Sequence, residues 1–277
     1  MSIMFRRGLL AVAVVALLGA CGSESSPEVV SSVPGVATAT QSSVPTASSA
    51  TPSATAADAA TSARDLVDAL AKKSDPDAIR EGLKLTTADS VAHIYVQHQA
   101  NMAEAALDGG SPFVDDDVSE LPAGEYKVCE DPSTEETCGV FGGFKSDATG
   151  KIVDLTVNDK ALKGRLTVGN GQTVKAGGGK FTFLTAYKAA SSENLFVTVK
   201  MEAGSKMLSP FLYDAAYRSP DGKQRKATYA NGPSDLDPES NSVGSFVFQS
   251  MKPGGRVTLE GCVDECANDF KAVIKVG

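Results

Sequence analysis

From Glu125 to the C-terminus, apolar residues recur at every second position in short runs, a period that suits strands and not helices. Phe181 and Phe183, then Leu195, Val197 and Val199, then Phe246 and Phe248, then Val257 and Leu259 each turn one face of an extended chain toward a core. Turn signals separate the runs, among them Ser146 to Gly150, Pro220-Asp221-Gly222 and Pro253-Gly254-Gly255. Strands are expected over Glu125–Cys129, Val140–Lys145 and Lys151–Val157. Further on they are expected over Phe181–Tyr187, Leu195–Met201, Phe211–Tyr217, Lys226–Tyr229, Val243–Phe248, Val257–Leu259 and Phe270–Val276. Asn170-Gly171, between Leu166 and Val168 on one side and Val174 on the other, suggests a tight hairpin. Residues 159–277 therefore read as one all-β sandwich domain.

Before these strands the period is helical. Leu66, Val67, Leu70 and Ala71 share a face, Ser74-Asp75-Pro76 breaks and restarts the helix, and Ile79 and Leu83 continue it. A longer helix carries Val91, Tyr95, Met102 and Ala106 on its apolar stripe and stops at Gly109-Gly110, with Thr87 as its expected cap. Residues 61–158 thus read as an α+β domain, helices first and then a β-meander. Residues 22–60 are almost only Ser, Thr, Ala, Pro, Val and Gly, without an aromatic, Leu, Ile, Lys or Arg. Such a stretch cannot bury enough apolar surface to offset chain entropy. It is expected to be a disordered tether, with an r.m.s. reach of about 35 Å. Its Ser, Thr and Pro content is also that of O-glycosylated stalks.

The N-terminus has Arg6 and Arg7, an apolar run from Leu9 to Leu18, and then Leu18-Gly19-Ala20-Cys21. A charged start, a short apolar core and small residues describe an export signal, and the run is too short to span a bilayer. A cysteine directly after Leu-Gly-Ala resembles the lipobox of bacterial, actinobacterial-type lipoproteins. The resemblance implies cleavage before Cys21, lipidation of its thiol and anchoring to the outer face of the cytoplasmic membrane.

The chain carries a net charge of −8, and its leader contributes two Arg and no acid. That argues against nucleic acid and against a polybasic grip on anionic lipid. Besides Cys21 there are Cys129, Cys138, Cys262 and Cys266. An even number in an exported chain points to disulfides, and proximity favours Cys129 with Cys138 and Cys262 with Cys266. Each loop closed would add about 2–3 kcal/mol in the chain-entropy model. A four-cysteine zinc site is the sharper alternative, but the first pair is spaced too widely for a zinc ribbon. A redox pair at Cys262 and Cys266 is opposed by Asp264 and Glu265, which would raise a thiol pKa.

Two further resemblances concern the folded part. Phe144 followed by Gly150-Lys151-Ile152-Val153 is similar to the closing hairpin of NTF2-like domains, which place helices first and curve a sheet around them. For residues 61–158 this implies a hollow able to hold a small apolar ligand. Leu195 to Lys200, Ser209-Pro210-Phe211, Tyr213-Asp214, Ser219 to Lys223, Leu236 to Ser240 and Gly244 to Phe248 resemble immunoglobulin-like domains of unknown function. Those domains occur in Gram-positive lipoproteins and are related in fold to an immunogenic secreted mycobacterial protein. The resemblance implies an immunoglobulin-like β-sandwich.

Candidate chemistry is sparse. His93 and His98 lie five residues apart on the long helix, about 140° around its axis, so they cannot share a metal. Both read as surface or boundary histidines. Asp115, Asp116, Asp117 and Glu120, or Asp235, Asp237 and Glu239, offer oxygens for Ca²⁺, but neither set has the EF-hand spacing. Acidic runs of this kind mark solvated loops. Gly177-Gly178-Gly179-Lys180 lacks P-loop spacing, and there is no Gly-x-Ser-x-Gly or His-Glu-x-x-His. No catalytic residue, metal or cofactor is expected. The leading expectation is a non-catalytic envelope lipoprotein, held to the membrane through lipidated Cys21. Its immunoglobulin-like module would bind an envelope protein, a wall polymer or a host protein. The alternatives are a carrier, sensor or simple acid/base enzyme using a pocket in residues 61–158, and a phage or prophage exclusion lipoprotein.

Overall fold

A computed structural model describes residues 56–134 and 137–277, all within one compact unit. The leader, Cys21 and the tether as far as residue 55 lie outside the described residues. Helix α1 (Ala56–Leu70) begins inside the stretch expected to be tether. Four of its first five residues are Ala, the strongest helix former. Helix α2 (Pro76–Glu81) is capped by Asp75, which accepts from the amides of Asp77 and Ala78, with Pro76 in the first turn. A 3₁₀ turn (Gly82–Leu85) leads to α3 (Val91–Asp108). Its cap is Ser90, whose Oγ accepts from the His93 amide at 3.1 Å, and not Thr87. Thr87 is engaged elsewhere, donating its amide to the Ile152 carbonyl and its hydroxyl to Asp147.

The protein is mostly β-structure with a few short helices. Strands β1 (Asp117–Leu121), β2 (Glu125–Cys129), β3 (Cys138–Ser146), β4 (Ile152–Val157) and β5 (Lys160–Ala161) form an antiparallel meander in chain order. The acidic stretch expected as a loop is partly an edge strand, with Asp117 opposite Cys129 and Glu120 opposite Tyr126. Charges on an exposed edge oppose pairing with another chain. The sulfurs of Cys129 and Cys138, at opposed positions of β2 and β3, lie 2.09 Å apart, and Cys262 and Cys266 form a second pair at disulfide distance.

A second sheet runs β13 (Tyr229–Asn231), β14 (Asn241–Phe248), β9 (Leu195–Glu202) and β8 (Gly179–Lys188). Along the far edge of β8 lie β6 (Leu166–Val168) and β7 (Thr173–Ala176), one after the other. Asn170-Gly171 therefore makes no hairpin between them. The tight turn is Gly177-Gly178, where β7 folds back on β8 with both glycines at positive φ. The third sheet centres on β15 (Arg256–Val263), with β16 (Asn268–Lys275) on one edge. On its other edge lie β10 (Leu208–Pro210) and β11 (Ala216–Arg218), and β12 (Gln224–Lys226) pairs with β11.

Two expected strands are interrupted. The run Phe211–Tyr217 contains a 3₁₀ turn at Leu212–Asp214. The run Lys226–Tyr229 is split between two sheets, with the Ala227 amide bonded to Ala215 and the Thr228 amide to Val247.

The second and third sheets share one core, in which Phe181, Val199, Phe246 and Phe248 meet Tyr217, Leu259, Phe270 and Ile274. The other face of the second sheet is covered by α3, so β14 is buried from Ser242 to Phe248. A separate core joins α1, α2, α3 and the first sheet through Leu66, Ile79, Val96, Phe141 and Leu155. It also takes in Tyr187, Ala189 and Ala190 from the end of β8. Helix α3 is thus clamped between the first and second sheets.

Candidate functional site

A concavity lies along α3, between the first sheet and the end of β8. It encloses about 430 Å³. Its floor is apolar and aromatic: Leu70, Ile79, Val128 and Val157 with Tyr95, Phe141, Tyr187 and Phe196. Tyr95 belongs to this lining and packs against two of its other rings. Its ring lies 5.4 Å from that of Tyr187, edge-on, and 6.2 Å from that of Phe141. Such tilted pairs are favoured by the ring quadrupoles. Burial raises the Tyr95 phenol well above its ordinary value, and Gln99 hydrogen-bonds it.

Tyr187 reaches this site because β8 changes face. Phe181 and Phe183 point into the core between the second and third sheets. Between Phe183 and Thr185 the register with β9 slips, so Leu184 is an extra residue. After this bulge Ala186 takes the inward position, while Thr185 and Tyr187 turn toward α3. The loop that follows is held by Arg165, which donates to the Ala189 carbonyl at 3.0 Å and pairs with Glu193. The Ala190 amide donates to the Tyr187 hydroxyl at 3.2 Å.

His98 lines the cavity and is buried, at 1% exposure, contrary to a surface or boundary position. Its Nδ1 lies 2.8 Å from Thr185 Oγ1, which in turn lies 2.7 Å from Thr198 Oγ1. Asn101 donates to the same Thr198 oxygen at 3.4 Å. This polar strip joins α3 to the second sheet. Burial lowers the His98 pKa to about 3, so the ring is neutral in ordinary buffer. His93 sits on another face of α3, 2.9 Å from Thr86 Oγ1. Among the described residues each histidine ring is hydrogen-bonded to a threonine.

The polar end of the cavity is acidic. Asp116 and Glu130 belong to its wall, with Lys73 as the cation. Lys73 Nζ lies 2.6 Å from Asp116 Oδ2, and the Asp116 side chain is only 3% exposed. Its second oxygen, Oδ1, is buried and has no hydrogen-bond partner among the described residues. Burial raises the Asp116 pKa, and Lys73 opposes that rise. The other acids of this run go elsewhere. Asp115 accepts from the Ser74 amide and hydroxyl, which holds its pKa below the usual range. Asp117 and Glu120 lie on β1. In the second acidic set, Asp235 accepts from Ser209 Oγ and Ser234 Oγ. Among the described residues no group of three His, Cys, Asp or Glu is placed to hold a metal ion.

A second groove, of about 640 Å³, lies at the C-terminal end of α3, beside the turn that follows β10. Its rim carries Phe211 and Tyr213, 43% and 67% exposed. Its lining includes Asn231, whose buried Nδ2 has no hydrogen-bond partner among the described residues.

The sequence signalled neither Tyr187 nor Asp116 as a cavity residue. The bulge that turns Tyr187 outward leaves no composition signal, and Asp116 sits in a run that reads as solvated. No family model, curated protein or solved structure matches the chain. Among the described residues no helix is long and apolar enough to cross a membrane.

Proposed function

We propose that the chain is an exported lipoprotein that binds a small amphipathic molecule in the cavity along α3, without catalysing its conversion. The observation that carries the reading is a concavity of about 430 Å³ lined mostly by apolar and aromatic side chains with a few charged groups among them. Ligand sites have this size and this division of chemistry. Helices ahead of a meander support an NTF2-like description of residues 61–158. Two sheets around one core support an immunoglobulin-like description of residues 159–277. On this reading Cys21 carries the lipid and residues 22–55 space the folded part from the membrane.

Native mass spectrometry of the full chain, released gently from membranes, tests the reading. A co-purifying small molecule is expected. It should be lost in Ala103→Phe, which fills the cavity from α3, while the circular dichroism spectrum persists. A wild-type protein that holds nothing, and takes up no hydrophobic probe that Ala103→Phe excludes, would overturn it.

The groove at Phe211 and Tyr213 favours a second reading, presentation of a docking face to an envelope or extracellular partner. Aromatic side chains are enriched at protein interfaces and among their anchors. Replacing both rings by Ala should weaken capture of such a partner at least tenfold, and unchanged capture would remove this reading.

A further inference from the structure

The charge around the cavity limits what can enter it. The charged side chains among the described lining residues are Lys73, Asp116 and Glu130. Lys73 is already committed to Asp116 Oδ2 at 2.6 Å. A ligand carboxylate would have to displace that pair and meet Glu130. A ligand cation meets Lys73 as well, but against two acids in the lining, Asp116 and Glu130. Asp116 Oδ1 is a buried acceptor with no donor among the described residues, a costly state that an N–H group reaching it would relieve. Hydrogen bonds to an ionised acceptor are the strong ones. Tyr95, Phe141 and Tyr187 in the lining are rings of the kind that attract a nearby cation.

Resting on the reading that the cavity is a ligand site, we infer that it selects amphiphiles with an ammonium head group over those with a hydroxyl or carboxylate head. The apolar body lies along the floor between α3 and the first sheet, and the nitrogen faces Asp116, with Glu130 at the rim. The His98 ring is neutral and held by Thr185, so it adds no positive charge to oppose this.

The test is displacement of a neutral fluorescent naphthylamine from the full chain by decylamine, decanol and decanoate at pH 7.5. Decylamine is expected to bind about tenfold more tightly than decanol, with decanoate weakest. Asp116→Asn should bring decylamine to the level of decanol and leave decanol unchanged. Glu130→Gln, at an exposed position, should reduce the preference about two- to threefold by lost Coulomb attraction. Equal affinities in the wild type, or tighter binding of decanoate, would overturn the inference while leaving the cavity as a ligand site. So would a preference that survives Asp116→Asn. Failure of all three compounds to displace the probe, together with indifference to Ala103→Phe, would overturn both. Should Asp116→Asn not fold, the wild-type ranking and Glu130→Gln decide the matter.

Discussion

His98 is a titratable group placed where its charged form cannot be solvated. Its Nδ1 is bonded to Thr185, and the Tyr187 ring lies 5.8 Å away, so protonation would bury a cation without an acid to balance it. The folded pKa of about 3 lies below the unfolded value of about 6.5. With a depressed histidine pKa, the unfolded chain binds the proton first. The neutral-His contribution is therefore complete above pH 6.5 and is lost as the pH falls toward 3. Between pH 6.5 and 5 the loss amounts to about 2 kcal/mol. Depressed carboxylates such as Asp115 and Asp147 lose their contributions only at lower pH, below the ordinary range for Asp. Urea unfolding at pH 7 and pH 5 should show this fall in the wild type. It should be largely absent in His98→Gln, whose amide can still reach Thr185. Parallel pH slopes in the two proteins would show that His98 is not the responsible group.

At the scale of elements, the period-two runs identified most of the long strands, because each has one face in a core that demands alternation. β9 and β15 follow this rule, with Leu195, Val197 and Val199 or Val257 and Leu259 turned inward. Alternation fails where a strand has two apolar faces or changes face. β14 is buried on both sides, so Val243 and Val247 carry no outward signal. β8 changes face at Leu184, and Tyr187 ends in the cavity in place of the inter-sheet core. Short edge strands escape for another reason. β1 lies on a sheet edge and buries little, so its composition resembles a loop. Asn170-Gly171 has the chemistry of a hairpin turn, but β8 is long enough to pair with both flanking segments and removes any need for them to pair together. The cavity was legible only as a consequence of a helix-then-meander order. Its actual walls depend on α3 meeting the second sheet, a contact between segments far apart in the chain that no local period encodes.

That contact decides how the whole molecule should behave. Helix α3 gives one face to the first sheet and another to the second, and Tyr187, Ala189 and Ala190 belong to the core of the helices and first sheet. Separating residues 61–158 from 159–277 would expose this apolar surface and the buried strip of His98, Asn101, Thr185 and Thr198. Unpaired polar groups and bared apolar area both oppose such a half-open state. The described unit should therefore unfold in one cooperative step, although it is larger than most two-state domains. Calorimetry of the full chain should give a van't Hoff enthalpy close to the calorimetric one, and His98→Gln should move the single peak without splitting it. Two resolved transitions would mean that α3 releases one sheet before the other. Because both halves build the cavity wall, a bound ligand stabilises the whole unit. At one hundred times its dissociation constant, ligand should add about 2.7 kcal/mol to unfolding. The same single peak should rise in temperature with decylamine in the wild type and remain in place in Ala103→Phe.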